Sequence, residues 1–305
     1  MVMEVRGGLD AQGNVVAWDY HVWTPMHSSR PNGSAGSLLA GSLVGMSAGT
    51  PNQSGADRNA NHTYTFKNNR VMVDWLNSSP LRASALRGLG SPQNTFANES
   101  FMDELAAASS ADPVDFRLRY LSDPRAKAVL EAEAKRAGWT SRPSAQARQQ
   151  TDIKSGRGVA FVQYDRTEAY VAAVADVEVN PMDGKVRVQR VFIAHDCGLI
   201  INPDGLRNQI EGNVIQATRR TLNEEAKFDR SMVTSLDWTG YQFLNSEVPD
   251  VIIEMINRPD QPAVGAGEVT NSAIPAAIAN AIFDATGIRL RTVPFTPERV
   301  KANFS

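Results

Sequence analysis

Alternating apolar and polar residues mark strands near the start of the chain. A turn is predicted at residues 10–14, between two alternating runs, so the first segment is expected to form a hairpin. Residues 29–60 are rich in Ser, Gly, Asn and Ala and predict a long loop. The pattern predicts strands at residues 3–6, 15–23, 63–66 and 70–76.

Helical spacing of apolar residues follows these strands. A glycine-bearing turn at residues 86–94 opens a helix predicted from about Thr95 to Ser109. Two further helices are marked by Asp-Pro pairs, because Asp112 and Asp123 are good N-caps and proline is favoured in the first turn. The second of these helices is expected to end near Gly138.

The second half of the chain mixes strands and helices. A polar stretch at residues 141–156 reads as a linker. We therefore expect an α+β fold with mixed sheets in two lobes, residues 1–140 and residues 157–305. Predicted after the linker are strands at 170–179, 186–194 and 252–256, a helix at 206–225, and a helix from Pro275 to Gly287 that buries Ile274, Ile278 and Ile282.

Composition narrows the classes of function. The 305 residues carry a net charge of only −2, so the charge gives no argument for a nucleic-acid or acidic-membrane partner. No apolar run reaches about 18 residues, so no membrane span is expected, and the first residues lack a signal peptide's apolar core. Cys197 is the single cysteine, which excludes a disulfide framework or a cysteine-held iron–sulfur cluster within this sequence.

One carboxylate stands out because glycines precede it. Gly265, Ala266 and Gly267 lead into Glu268, just before the last long helix. Glycine pairs allow a ligand to approach the backbone closely, and a helix amino terminus favours anionic groups. The same spacing fits a tight turn with a helix-capping glutamate, and the spacing alone leaves both interpretations open.

Four motifs in order resemble one enzyme family. They comprise residues 86–106, the Asp196-Cys197-Gly198 elbow with Asn202-Pro203, the Gln209-Ile-Glu-Gly run and Gly265–Glu268. Together they resemble the molybdopterin-binding subunit of the xanthine oxidase family, nearest to the nicotinate dehydrogenase and isoquinoline 1-oxidoreductase type. The resemblance runs from about residue 62 to the end, and the chain looks like the carboxyl-terminal part of such a subunit.

The resemblance implies roles for particular residues. Glu268 would be the catalytic base and Leu89 would face the substrate, where many relatives carry a stacking aromatic. The guanidinium of Arg87 could hold an anion and the amide of Gln209 a pterin edge; a surface arginine and a helix-surface glutamine remain the alternatives. No protein side chain is expected to bind the metal. The cofactor-binding set is Arg87, Gly88, Cys197, Gly198, Asn202, Gln209, Gly265, Ala266 and Gly267.

The implied activity is hydroxylation of an N-heteroaromatic compound with water as the oxygen source. The implied cofactors are molybdopterin, as a dinucleotide carrying molybdenum, and 2Fe–2S clusters on a partner chain. Implied partners are a chain supplying the amino-terminal half, a small 2Fe–2S subunit, and a cytochrome c or flavin acceptor. The expected location is the bacterial cytoplasm or the inner membrane. An aldehyde-oxidising relative and a catalytically silent scaffold are the alternatives.

Overall fold

The computed structural model describes residues 1–27, 34–47, 55–77, 79–81, 84–145, 151–241 and 247–304. Seven strands and seven α-helices lie in this part of the chain. The strands are β1 (Val2–Leu9), β2 (Val15–Pro25), β3 (Asn69–Leu76), β4 (Lys154–Gln163), β5 (Tyr170–Val179), β6 (Val186–Asp196) and β7 (Asp250–Met255). The helices are α1 (Leu39–Leu43), α2 (Ser91–Ala108), α3 (Pro113–Tyr120), α4 (Pro124–Ala137), α5 (Pro203–Leu222), α6 (Val269–Thr286) and α7 (Pro297–Lys301).

The strands form two mixed sheets, which confirms the predicted α+β class. In the first sheet β1 pairs antiparallel with β2, as the predicted hairpin requires, and β3 adds parallel to β2. In the second sheet β4, β5 and β6 form an antiparallel meander, and β7 adds parallel to β6. Parallel neighbours cannot be joined by a tight turn, so each sheet needs one long crossover connection.

Both faces of the second sheet are covered. Alternate residues of β5 enter different cores: Val171 and Ala173 face α6, whereas Ala172 and Val174 pack with residues of α4 and the first sheet. Burial on both sides explains why β5 is an almost continuous apolar run rather than an alternating one. The first sheet therefore shares the core on the α4 side of the second sheet, while the division into lobes at residues 141–156 stays a prediction.

Helix α6 lies unusually close to β4 because glycines and alanines meet there. A methyl group on Gly156 or Gly158 would clash with the backbone of α6 at Ala281. The helix is buried along nearly its whole length, and Gly287 ends it in the left-handed conformation, as predicted. This close contact fixes the position of the amino end of α6, where Glu268 lies.

Local signals were right for several elements and wrong for others. The caps Asp112 and Asp123 accept hydrogen bonds from the first turns of α3 and α4, which confirms the Asp-Pro prediction. The start predicted for α6 is wrong, because the helix begins at Val269 and Pro275 lies inside it. Residues 63–66 form no strand; the backbone N–H of Thr65 instead donates to the carbonyl of Tyr120 at 2.9 Å.

The expected loop at residues 29–60 contains the short helix α1 in its described part, while residues 28–33 and 48–54 lie outside the described residues. Of the predicted linker, residues 146–150 also lie outside, and β4 begins at Lys154, within the predicted linker range. Within the described ranges, no helix combines the length and apolarity needed to cross a bilayer.

Candidate active site

A tight turn at residues 86–90 forms one wall of the candidate site. Gly88 and Leu89 both have positive φ, 92° and 52°, which is ordinary for glycine but costly for leucine. Gly90 approaches the carbonyl of Ala56 so closely that a side chain would clash, and its N–H donates to Gly55 at 2.9 Å. The turn therefore holds its unusual backbone against the neighbouring segment and begins α2.

The opposite wall is the turn at residues 265–268, which ends at α6. Glu268 occupies the N-cap position, yet its side chain makes no capping hydrogen bond. Its Oε2 accepts the backbone N–H of Gly88 at 3.0 Å, and its Oε1 accepts the hydroxyl of Tyr164 at 2.6 Å. The capping interpretation of Glu268 is therefore wrong: the carboxylate spans the gap between the two turns instead.

Arg87 connects three of the sequence motifs. Its Nε donates to the carbonyl of Gly267 at 2.7 Å, and its Nη2 donates to Oε1 of Gln209 at 2.6 Å and to the same Gly267 carbonyl. Asn213, one turn along α5 from Gln209, donates to that carbonyl as well, at 3.1 Å. Arg87 thus contacts both the glycine turn and α5, while its role in binding an anion stays a prediction.

Positive charge is concentrated around Arg87. Burial lowers the pKa of Arg87, and the nearby guanidinium of Arg220 lowers it further, while Glu268 raises it. Arg220 also donates to the backbone carbonyl of Arg87 at 3.1 Å. Two neighbouring guanidinium groups favour the approach of an anion.

Within the described part of the chain, Arg87 lines at least two cavities. The first, of about 420 Å³, is lined by both arginine and carboxylate side chains, including Arg58, Glu168 and Glu268. The second, of about 950 Å³, is more apolar; Leu89, Phe96 and Pro275 line it together with Asn271. Leu89 therefore borders a cavity, where a substrate contact was predicted, although that role stays a prediction.

Several buried amide atoms near the turns lack a hydrogen-bond partner among the described residues. They are Nδ2 of Asn271, Oδ1 of Asn213 and Oε1 of Gln216. Of these three residues, only Asn271 lines a cavity beside Arg87, so its Nδ2 is the atom placed to donate to a ligand. A ligand with an anionic group and a hydrogen-bond acceptor fits the guanidinium of Arg87 and this amide.

The elbow after β6 supports the glycine turn from behind. Cys197 is buried in the core, and its carbonyl accepts the N–H of Val264 at 3.0 Å, just before Gly265. Gly198 has φ 76° and lies against the carbonyl of Pro262, while the side chain of Asn202 caps α5 by accepting the N–H of Gly205. None of the three lines either cavity, and their role in cofactor binding stays a prediction.

Sequence reasoning missed Tyr164 and Arg58, both of which contact Glu268. Tyr164 precedes Glu268 by 104 residues, and no local spacing relates the two. Among the described residues, no group of three or more His, Cys, Asp or Glu side chains is placed to hold a metal ion. The expectation that the polypeptide supplies no metal ligand remains a prediction.

Comparison with known proteins gives consistent results. A family model for a molybdopterin cofactor-binding domain matches residues 99–247, and a second model with the same description matches residues 1–121. The chain is 43% identical over 99% of its length to one of the subunits of nicotinate dehydrogenase from Pseudomonas putida. It is 32% identical over 70% of its length to the beta subunit of isoquinoline 1-oxidoreductase from Brevundimonas diminuta.

Among solved structures, the aldehyde oxidoreductase from Desulfovibrio gigas has a similar fold. The TM-score is 0.73 at 17% identity, and the match covers 99% of this chain and 49% of that one. The chain spans only about a quarter of the two curated relatives, 25% and 26% of their lengths.

Proposed function

Since this chain belongs to the family of molybdopterin cofactor-binding domains, we propose that it forms part of the active site of a molybdenum hydroxylase. Its substrate would be an N-heteroaromatic compound, such as a pyridine carboxylate. Similarity to subunits of a nicotinate dehydrogenase and of an isoquinoline oxidoreductase supports this choice of substrate.

The observation that carries the proposal is the position of Glu268. Its carboxylate lies at the amino end of α6, lines a cavity beside Arg87, and is 36% exposed. A general base must reach the proton that it removes, and this carboxylate is held by contacts on both oxygens while remaining open to the cavity. Glu268 would thus accept a proton from a water-derived oxygen during hydroxylation.

The residues around Glu268 fit the implied cofactor. Arg87 and Gln209 would hold its anionic and amide-bearing parts, together with the glycine turn at residues 265–267, and the unpaired amide of Asn271 offers a further donor. When bound, the molybdenum cofactor would supply oxygen transfer and the acceptance of two electrons. The proposed form is a dinucleotide, and 2Fe–2S clusters on a partner chain would carry the electrons away.

The tasks left to this chain are orientation and proton transfer. Gly88 and Tyr164 orient the carboxylate of Glu268 by donating to opposite oxygens. Arg87 donates to the Gly267 carbonyl and to Gln209, and so holds the glycine turn against α5. Such pre-organisation contributes to catalysis because the reacting groups need no rearrangement at the moment of reaction.

An aldehyde-oxidising activity is the second candidate, and Leu89 is the observation that favours it. Leu89 lines the larger cavity, of about 950 Å³, and an aliphatic side chain there cannot stack on a flat ring as an aromatic side chain would. The same base serves both substrates, so only measured rates with each class distinguish them. A silent scaffold is disfavoured because Glu268 bonds across the two turns and stays open to a cavity.

The test is the substitution Glu268→Gln in the complete native complex. We expect molybdenum content and fold to be kept while turnover falls by about 10²–10⁴-fold, the usual effect of removing a general base. Glu168→Gln is the matched control, because Glu168 lines the same cavity but makes neither of the hydrogen bonds that join Glu268 to Gly88 and Tyr164. A Glu268→Gln complex that keeps more than about a tenth of the native rate contradicts the assignment of the base.

A further inference from the structure

Tyr164 and Arg58 form a hydrogen-bonded chain that ends on Glu268. Tyr164 is 3% exposed, and its hydroxyl donates to Oε1 of Glu268 at 2.6 Å. Nη1 of Arg58 donates to the Tyr164 oxygen at 2.9 Å and lies 3.6 Å from the same Oε1. The Arg58 guanidinium carbon also lies 5.2 Å from the centre of the Tyr164 ring, within the range of a cation–π contact.

The direction of these hydrogen bonds follows from which groups carry a proton. Burial and the hydrogen bond to Glu268 raise the pKa of Tyr164 well above its usual range, so the hydroxyl keeps its proton at working pH. Arg58 has no acceptor to offer and is always a donor. Hydrogen bonds therefore run from Arg58 to Tyr164 and from Tyr164 to the carboxylate.

The two residues are held in register by Asn59. Its Nδ2 donates to the carbonyl of Gln163 at 2.8 Å, and its Oδ1 accepts the N–H of Asp165 at 3.1 Å. The side chain of Asn59 thus contacts the backbone on both sides of Tyr164. Asp165 itself has φ 51°, a strained conformation for a residue with a side chain, which persists only where surrounding contacts enforce it.

We propose that Tyr164 and Arg58 are positioning residues that hold the carboxylate of Glu268 so that Oε2 serves the proposed proton transfer. This inference rests on the proposed function. Oε1 accepts the Tyr164 hydroxyl and is close to Arg58, whereas Oε2 has only the Gly88 N–H as a partner among the described residues. Oε2 therefore keeps the freer lone pair. Its direction is set by Tyr164, which lies more than a hundred positions away in sequence.

Other charged groups also surround the carboxylate. Arg87 and Glu168 line the same cavity, and Asp165 lies 3.7 Å from Nε of Arg58. Burial works to lower the pKa of Arg58, but its bond to Tyr164 and the neighbouring acidic groups raise it overall. Removing the Tyr164 hydroxyl leaves all of these charges in place, so Tyr164→Phe isolates the hydrogen bond.

The experiment compares Tyr164→Phe with Tyr170→Phe in the complete native complex. Tyr170 is a matched control because its hydroxyl also donates to a carboxylate, Asp123, at 2.6 Å, with an arginine over its ring, away from Glu268. Loss of the hydrogen bond to Glu268 should move the acid limb of the pH profile of kcat/KM to a pH about one unit higher in Tyr164→Phe. Tyr170→Phe should leave the limb unchanged.

A second readout does not depend on turnover. Carbodiimide modification of Glu268, followed by peptide mass spectrometry across pH, should show a midpoint about one unit higher in Tyr164→Phe than in the native protein. Should Tyr164→Phe fail to fold, Arg58→Gln is expected to move both midpoints in the same direction, because it removes a charge 3.6 Å from the carboxylate.

The outcomes separate the inference from the function on which it rests. If Glu268→Gln is inactive while the midpoints in Tyr164→Phe and Arg58→Gln equal those of the native protein, the positioning role is overturned and the proposed function stands. If Glu268→Gln keeps the native rate, the proposed function fails. An upward shift in the turnover and modification midpoints, absent in Tyr170→Phe, supports the inference.

Discussion

Replacing Arg87 with alanine should loosen the junction between the two turns and α5. The guanidinium makes bonds to the Gly267 carbonyl and to Gln209, and a hydrogen bond from a charged donor contributes about 1.5–3 kcal/mol when buried. Because Arg87 is only partly buried, we take the lower end, about 1.5 kcal/mol. If cofactor binding loses this free energy when the junction loosens, the cofactor should dissociate about tenfold more readily.

The assay is molybdenum per chain by mass spectrometry, with pterin measured in parallel by fluorescence after oxidation. The molybdenum content of Arg87→Lys should lie between those of the native protein and Arg87→Ala, since lysine keeps the charge but cannot make the forked contacts. Arg70→Ala is the control, because Arg70 pairs with Asp19 on the exposed first sheet. Full occupancy of Arg87→Ala under limiting cofactor would refute the reasoning.

Two further predictions concern stability. Arg117→Met should lower the free energy of unfolding by about 3–5 kcal/mol in urea titrations, because it removes the charged partner of the buried Glu99 side chain. A loss below about 1 kcal/mol would contradict the importance of this pair. Gly158→Ala should lower it by about 1–3 kcal/mol, because the added methyl clashes with the backbone of α6. Gly8→Ala, which meets only ordinary contacts, is the comparison, and equal melting temperatures for both variants would argue against the close approach of α6 to β4.

Sequence alone predicted the elements whose signals are local. Asp112 and Asp123 carry their capping function in their own first turns, and alternation predicted the first hairpin. The predicted start of α6 is misplaced because a proline such as Pro275 usually marks the first turn of a helix. The true first turn buries Thr270 and Asn271, so tertiary packing rather than a proline signal sets the boundary.

The candidate site was predictable in part for the same reason. The structure brings Arg87, Gln209 and Gly267 into contact, and each belongs to a motif that sequence reasoning singled out. Tyr164 and Arg58 carry no local signal, because their relation to Glu268 exists only after β4 and α6 have packed together. Contacts between distant segments are set by the fold, which spacing along the chain cannot reveal.

The parallel pairings described for both sheets have a consequence for folding. Each requires a long crossover, and these crossovers carry Arg58, between β2 and β3, and Gln209, between β6 and β7. Closing a long loop costs entropy before the strand contacts that offset this cost have formed, so parallel pairing forms slowly. The candidate site should therefore be among the last regions to become ordered during folding, after the hairpins have formed, and its contacts should open before theirs under mild denaturant.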